Sequence, residues 1–227
     1  MLKEFNLYEK CYLILGTILL VIIAIVSRSN ILSLIYSLLC LLNAVCIAKG
    51  KIIGYVFEII ATIIYLYISF TQKFYSEVFT SICLLMPSSI YGLYNWSKNQ
   101  SQSSTVIIKD MSKKELYFSI ISQIILYPLY LFVLDHFNSS LIYISALSIC
   151  ITALAVYHMA KASPLAYFFF IIKDIVGISL WIYPILLGES GSVTVFVTFL
   201  LYGLNDCYGL FNWKKIKASQ QFAQQTN

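Results

Sequence analysis

Three carboxylates, Glu58, Asp174 and Asp206, stand inside long apolar runs of a 227-residue chain of which only 11% is charged. An acidic group at that depth in a bilayer is costly and needs a reason. Asp174 lies ten residues beyond Pro164, roughly 15 Å along a helix at 1.5 Å per residue and therefore near a bilayer midplane. Glu58 lies roughly 9 Å into its own run by the same rise. Asp206 sits seven residues before Trp213, where its run ends. Tyr167, Phe170 and Asp174 recur at i, i+3 and i+7 and share one helical face. An aromatic face ending in a carboxylate suits a flat ligand that is cationic or hydrogen-bonding. For Tyr167 alone, an interfacial aromatic belt is the plainer explanation. Asn205, Tyr208 and Asn212 form a second stripe with the same spacing, and Ser88, Tyr91 and Asn95 form its counterpart. These residues, with Glu58 and Asp206, are the candidate solute contacts. Lys173 reads either as an ion-pair partner of Asp174 or as a snorkelling side chain.

Catalysis is not indicated. His136 and His158 fall at helix ends or loops with no metal or nucleophile partner, and neither a phosphate-binding lysine loop nor an HExxH pair occurs. The six cysteines lie in apolar runs without a CxxC pair, so they read as small core residues. No metal and no cofactor is expected. Internal hydrogen bonding or protonated carboxyls between helices is the plainer alternative for the buried carboxylates, and it ranks behind a role in solute binding.

The elements that must position these groups are membrane helices. With 60% hydrophobic residues and a mean hydropathy of +0.83, the composition exceeds what a soluble domain of this size can bury. The apolar runs are continuous, which excludes an alternating β-barrel pattern. A span needs about 20 residues. Eight runs qualify, at about 11–27, 30–48, 52–70, 76–95, 116–135, 140–160, 164–187 and 191–213. The first is expected to be a retained helix rather than a signal peptide. By alternation, twelve lysines fall on the side of the two termini and only Arg28 and Lys73 on the other. That asymmetry predicts cytoplasmic termini. The net charge of +5 follows from these loop lysines and does not indicate nucleic acid.

The runs repeat. Tyr91-Gly92-Leu93-Tyr94-Asn95-Trp96 returns 117 positions later as Tyr208-Gly209-Leu210-Phe211-Asn212-Trp213. Each copy closes an apolar run and is followed by lysine within two residues. Glu58 and Asp174 stand 116 positions apart and pair in the same frame, each followed by aromatic residues, Tyr65 and Tyr67 or Trp181 and Tyr183. Two copies with the same membrane orientation form a parallel repeat, a transporter layout with its site between the halves. Trp96 and Trp213 sit at the boundary as anchors or as a gate. The expected organisation is an extra N-terminal helix over 1–29, a three-helix bundle over 30–96, a polar linker and connecting helix over 97–137, a second bundle over 138–213 and a tail over 214–227. Pro87 and Pro128 fall mid-helix and are expected to kink their spans.

Residues 30–215 resemble the PnuC family of bacterial vitamin transporters, most specifically through Tyr75-Ser76-Glu77, the two hexapeptides and Asn205-Asp206-Cys207. The resemblance implies an all-α polytopic membrane protein with a 3+1+3 arrangement like the SWEET sugar transporters, preceded here by one extra helix. It implies facilitated uptake of nicotinamide riboside across the inner (plasma) membrane with trapping by phosphorylation, and a homotrimer. The family's W-x-x-W-x-x-x-N/D motif aligns with Tyr167, Phe170 and Asp174. The acidic position is kept while both tryptophans are replaced by smaller aromatics. Thiamine or another vitamin nucleoside is therefore the alternative solute, and a non-transporting membrane sensor the alternative class.

Overall fold

The computed structural model describes residues 5–71, 75–101, 105–139, 141–187 and 192–225. Helices α1 (Leu7–Val26), α2 (Ile31–Ala48) and α3 (Ile53–Thr71) are followed by α4 (Tyr75–Thr80), a π-helical turn (Ser81–Leu85) and α5 (Met86–Lys98). Then come α6 (Lys113–His136), α7 (Ile142–Ala160), α8 (Leu165–Leu186) and α9 (Ser192–Gln225). Seven of the described helices are long and apolar enough to cross a membrane. The run expected to be an eighth span is the composite α4–α5. Its interruption precedes Pro87, which has no N–H for the turn behind it. The hydroxyls of Ser88 and Ser89 both donate to the Leu85 carbonyl, at 2.9 and 2.8 Å. Pro128 lies inside α6, which is continuous through it.

Helix starts follow local capping chemistry. Asn6 and Glu9 form a reciprocal capping box at α1, and Ser112 and Glu115 form one at α6. The ends of α2 and α7 stop in matching left-handed turns, at Gly50 (φ 68°) and Ala162 (φ 56°). At Ala162 a side chain occupies a conformation that glycine takes more easily.

The packing shows the repeat. Helix α3 packs on α2 and α5, and α8 packs on α7 and α9. Across the middle, α2 meets α9 and α5 meets α7. Thus α2, α3 and α4–α5 recur as α7, α8 and α9. Helix α6 lies against α7, and α1 rests on α2 and α9.

The hexapeptide tails explain how the halves join. Asn95 Nδ2 donates to the Ala160 carbonyl (2.8 Å) and Trp96 Nε1 to Met159 (3.1 Å). Asn212 Nδ2 donates to Ala48 (2.9 Å) and Trp213 Nε1 to Ile47 (3.1 Å). All four acceptors are last-turn carbonyls, which a helix cannot satisfy by itself. Each half therefore caps a helix of the other.

The repeat register within the bundles differs from that of the hexapeptides. Ile47 and Met159 accept equivalent bonds, and Tyr55 and Tyr167 pack on Gly92 and Gly209 alike. Both pairs are 112 positions apart, not 117. The second half thus carries five more residues between its tyrosine and its hexapeptide. In that frame Glu58 corresponds to Phe170, and Asp174 to Thr62. The expected pairing of Glu58 with Asp174 is corrected: the acidic groups are not symmetric.

Candidate functional site

A cavity of about 210 Å³ lies between the two bundles. The lining from α3 is Tyr55, Glu58, Ala61, Thr62 and Tyr65, and that from α8 is Tyr167, Phe170, Lys173, Gly177, Leu180 and Trp181. Helix α9 adds Phe199, Tyr202, Asn205 and Asp206, among others, and α5 adds Ser88. Toward the termini the floor is sealed by Ile47, Tyr55, Met159 and Tyr167, which belong to one buried cluster with Trp96 and Trp213. Both tryptophans are fully buried, and their rings meet at 5.7 Å. They stand edge-on to Tyr55 and Tyr167 respectively.

Beneath this floor runs the linker. Val106 and Ile108 are buried in the same cluster. Val106 N donates to the Gly50 carbonyl (2.9 Å) and Lys109 N to Ala162 (3.1 Å), so the strap bonds to both matching turns. The side chain of Gln220, on the extension of α9, accepts from Ile108 N and donates to Val106 O. Lys217 pairs with Asp110.

The acidic groups have distinct surroundings. Glu58 accepts from Asn43 Nδ2 at 3.2 Å. Glu77, half-buried at the other end of the cavity, accepts from the Tyr65 hydroxyl at 2.7 Å, and Tyr65 stacks on Tyr36. Asp206 lies beside Asp174. Asp174 is 1% exposed and is not part of the cavity wall; it turns toward α9, with Oδ2 3.8 Å from where a Cβ on Gly203 would stand. Its Oδ1 is 3.0 Å from Lys173 Nζ, yet neither oxygen receives an aligned hydrogen bond among the described residues. The contact is an attraction of charges without a directed bond. Asn205 gives its amide N–H to the Ala44 carbonyl (3.0 Å), while its buried Oδ1 has no partner among the described residues. That oxygen is a ready acceptor beside the cavity.

The two expected polar stripes are divided. Tyr167, Phe170, Glu58, Ser88, Asn205 and Asp206 border the cavity. Asn95 and Asn212 cap the opposite bundle instead. Tyr91 is exposed, in a shallow depression with Met86, Pro87, Ile90 and Tyr94. Tyr208 donates to Glu9 Oε1 (2.7 Å), receives a bond from Asn6 Nδ2 (2.8 Å) and stacks on Tyr8, so it docks α1. Among the described residues no cluster of three or more histidine, cysteine or acidic side chains could hold a metal.

Residues 30–215 match the family described as nicotinamide mononucleotide transporter. The chain belongs to this family. Curated relatives of this family member include the nicotinamide riboside transporter PnuC of Neisseria mucosa, 24% identical over 78% of this chain and 69% of that protein. The protein of the same description from Haemophilus influenzae is 26% identical over 78% of this chain and 76% of its own length. A crystal structure of the vitamin B3 transporter PnuC superposes with a TM-score of 0.83, covering 95% of this chain and 94% of that one at 21% identity. That likeness shows the all-helical, multi-pass fold of this family member.

Several cavity residues had no signal among the stripes. Lys173 is adjacent to Asp174, while Phe199 and Tyr202, on the α9 turns before Asn205, and Tyr36, Asn43, Tyr65 and Glu77 lie outside the stripes. Lys173 stands out in the sequence as a charge beside Asp174, and Glu77 as part of the Tyr75-Ser76-Glu77 stretch, but neither is a candidate solute contact there.

Proposed function

We propose that this chain is a transporter, not an enzyme, that carries nicotinamide riboside across the inner (plasma) membrane by facilitated diffusion. Family membership supports the class, and the lining supports the solute. The observation that carries the proposal is a cavity between two equivalent bundles whose walls are aromatic and acidic. Glu58, Asp206 and Glu77 suit a positively charged pyridinium ring, Phe170 offers it a face, and Asn205 and Ser88 offer hydrogen bonds to ribose hydroxyls. Tyr167 closes the floor beneath the ring. Asp174 acts from behind the wall by holding Lys173, and Trp96 and Trp213 form the gate.

The halves 30–96 and 138–213 would rock about the cavity to alternate access. The lysine-rich terminal side faces the cytoplasm on this proposal. The sealed floor then makes the present state one closed to the cytoplasm. Phosphorylation of the solute inside the cell would give net accumulation.

The test is ligand-dependent thermal stabilisation of the purified protein, since a ligand that binds only the folded state raises apparent stability. Nicotinamide riboside is expected to raise the unfolding temperature, and Glu58→Gln with Asp206→Asn to abolish that rise. A rise with thiamine alone would favour the second reading, which rests on Tyr167 and Phe170 standing where the motif has tryptophans. Binding without flux in proteoliposomes would favour a sensor.

A further inference from the structure

The cavity contains one place built for a positive charge, and the chain fills it itself. Lys173 Nζ lies 5.2 Å from the ring centroid of Phe170, 5.3 Å from that of Phe199 and 5.1 Å from that of Tyr202. All three are within the ~6 Å at which an aromatic ring attracts a cation. Asp174 supplies the opposite charge at 3.0 Å. The box depends on Gly177: the Phe199 ring is set against α8 where a Cβ on residue 177 would fall 2.2 Å from Cε1. The three rings and Lys173 all border the cavity, so a solute in the cavity reaches the same box.

The occupant is held loosely in the directional sense. Asp174 has no aligned hydrogen bond from it. A lysine ammonium is a point charge on a flexible four-carbon stem, without the fixed fork that would lock an arginine in place. The equivalent position in the first bundle, by the 112-residue register, is Ala61. At this position the charge belongs to the second bundle alone.

We propose that Lys173 is a specificity-determining residue: its ammonium occupies the cavity's cation box when the cavity is empty, and an aromatic cation binds by displacing it. The proposal rests on the transport of a pyridinium nucleoside. Apparent affinity for a ligand falls in proportion to the fraction of molecules whose site is free to receive it. A cationic solute therefore meets competition from Lys173. A neutral solute of the same shape, which gains little from the box, does not.

The experiment compares oxidised nicotinamide riboside, a cation, with its neutral 1,4-dihydro form by calorimetric titration of the purified full chain. In Lys173→Met, which keeps the apolar stem and removes the charge, the oxidised form is expected to bind about tenfold more tightly. The dihydro form should be little changed, and Lys173→Arg should show no gain. Lys173→Gln replaces the methionine variant if that one fails to fold. In parallel, 1-methylpyridinium, a bare ring cation, is expected to raise the unfolding temperature of Lys173→Met but not of the native chain. An unchanged oxidised-to-dihydro ratio, or weaker binding of the oxidised form, overturns the proposal. If neither riboside binds the native chain, the riboside assignment fails by itself, and the 1-methylpyridinium comparison still decides whether Lys173 guards the box.

Discussion

Trp96 and Trp213 stand ring to ring at 5.7 Å, and each gives its indole N–H to a helix-end carbonyl of the bundle it does not belong to. The contact supports the floor of the cavity from beneath and joins the halves. Replacing either tryptophan by phenylalanine keeps most of the ring and removes the donor. The carbonyl of Met159 or Ile47 keeps its backbone donor, Ala162 N at 2.9 Å or Gly50 N at 2.8 Å, so the loss is that of one hydrogen bond, about 0.5–1.5 kcal/mol. Thermal unfolding should show similar losses for the two variants, because the two bonds are equivalent.

Glycine in the hexapeptide is a packing requirement. A Cβ on Gly92 would stand 2.3 Å from Tyr55 Cζ, and one on Gly209 would stand 2.2 Å from Tyr167 Cε1. Gly92→Ala and Gly209→Ala should each destabilise by about 1–3 kcal/mol, as overpacked cores do. Gly203→Ala is the control, since its new methyl meets only Asp174, at 3.8 Å. Pairing Gly209→Ala with Tyr167→Leu should recover part of the loss in the same unfolding assay.

Besides its bonds to Gly50 and Ala162, the strap beneath the floor is held by the Gln220 side chain, which mimics a neighbouring strand. Gln220→Ala removes both bonds to the linker backbone. Hydrogen exchange at the Ile108 amide should accelerate by about tenfold, corresponding to roughly 1.4 kcal/mol of lost protection. Exchange in α2 should stay as it was. Equal acceleration in both places would mean that Gln220 acts on the whole fold rather than on the strap.

Helix α1 is attached through a buried charge. Glu9 is 1% exposed and bonds to Lys49 Nζ at 2.9 Å and to the Tyr208 hydroxyl at 2.7 Å. Lys49→Met leaves Glu9 buried without its countercharge, which costs about 3–5 kcal/mol where a buried pair is broken. Adding Glu9→Gln should restore much of that stability, because the glutamine needs no countercharge. An unfolding midpoint unchanged in Lys49→Met would show that Tyr208 and Asn6 suffice.

Much of this architecture is legible in the chain. The spans follow from apolar runs, and the joint follows from the repeated hexapeptide, whose Asn-Trp ending turns out to be a pair of donors. The direction of side chains is less legible. Tyr167, Phe170 and Asp174 share a stripe, yet the boundary between facing the cavity and facing α9 falls between Lys173 and Asp174. Adjacent residues are separated by about 100° around a helix of 3.6 residues per turn, and in a bundle both directions lead inward. The same ambiguity sends Tyr208 to α1 and Asn212 to α2. The wrong register for Glu58 has another source. The hexapeptides are the strongest repeat signal, and their spacing does not carry back through a half that is five residues longer.

Crosswise capping also constrains the order in which the molecule can be built. The carbonyl of Ile47 accepts from Gly50 N in its own turn but waits for its second donor, Trp213, 166 residues further along the chain. At a synthesis rate of about 5–20 residues per second, that wait is on the order of ten seconds or more. During it the first bundle lies in the membrane with the end of α2 lacking the donors of α9. Neither half is finished until the other arrives, so the biogenesis of the first bundle is tied to the translation of the last helix.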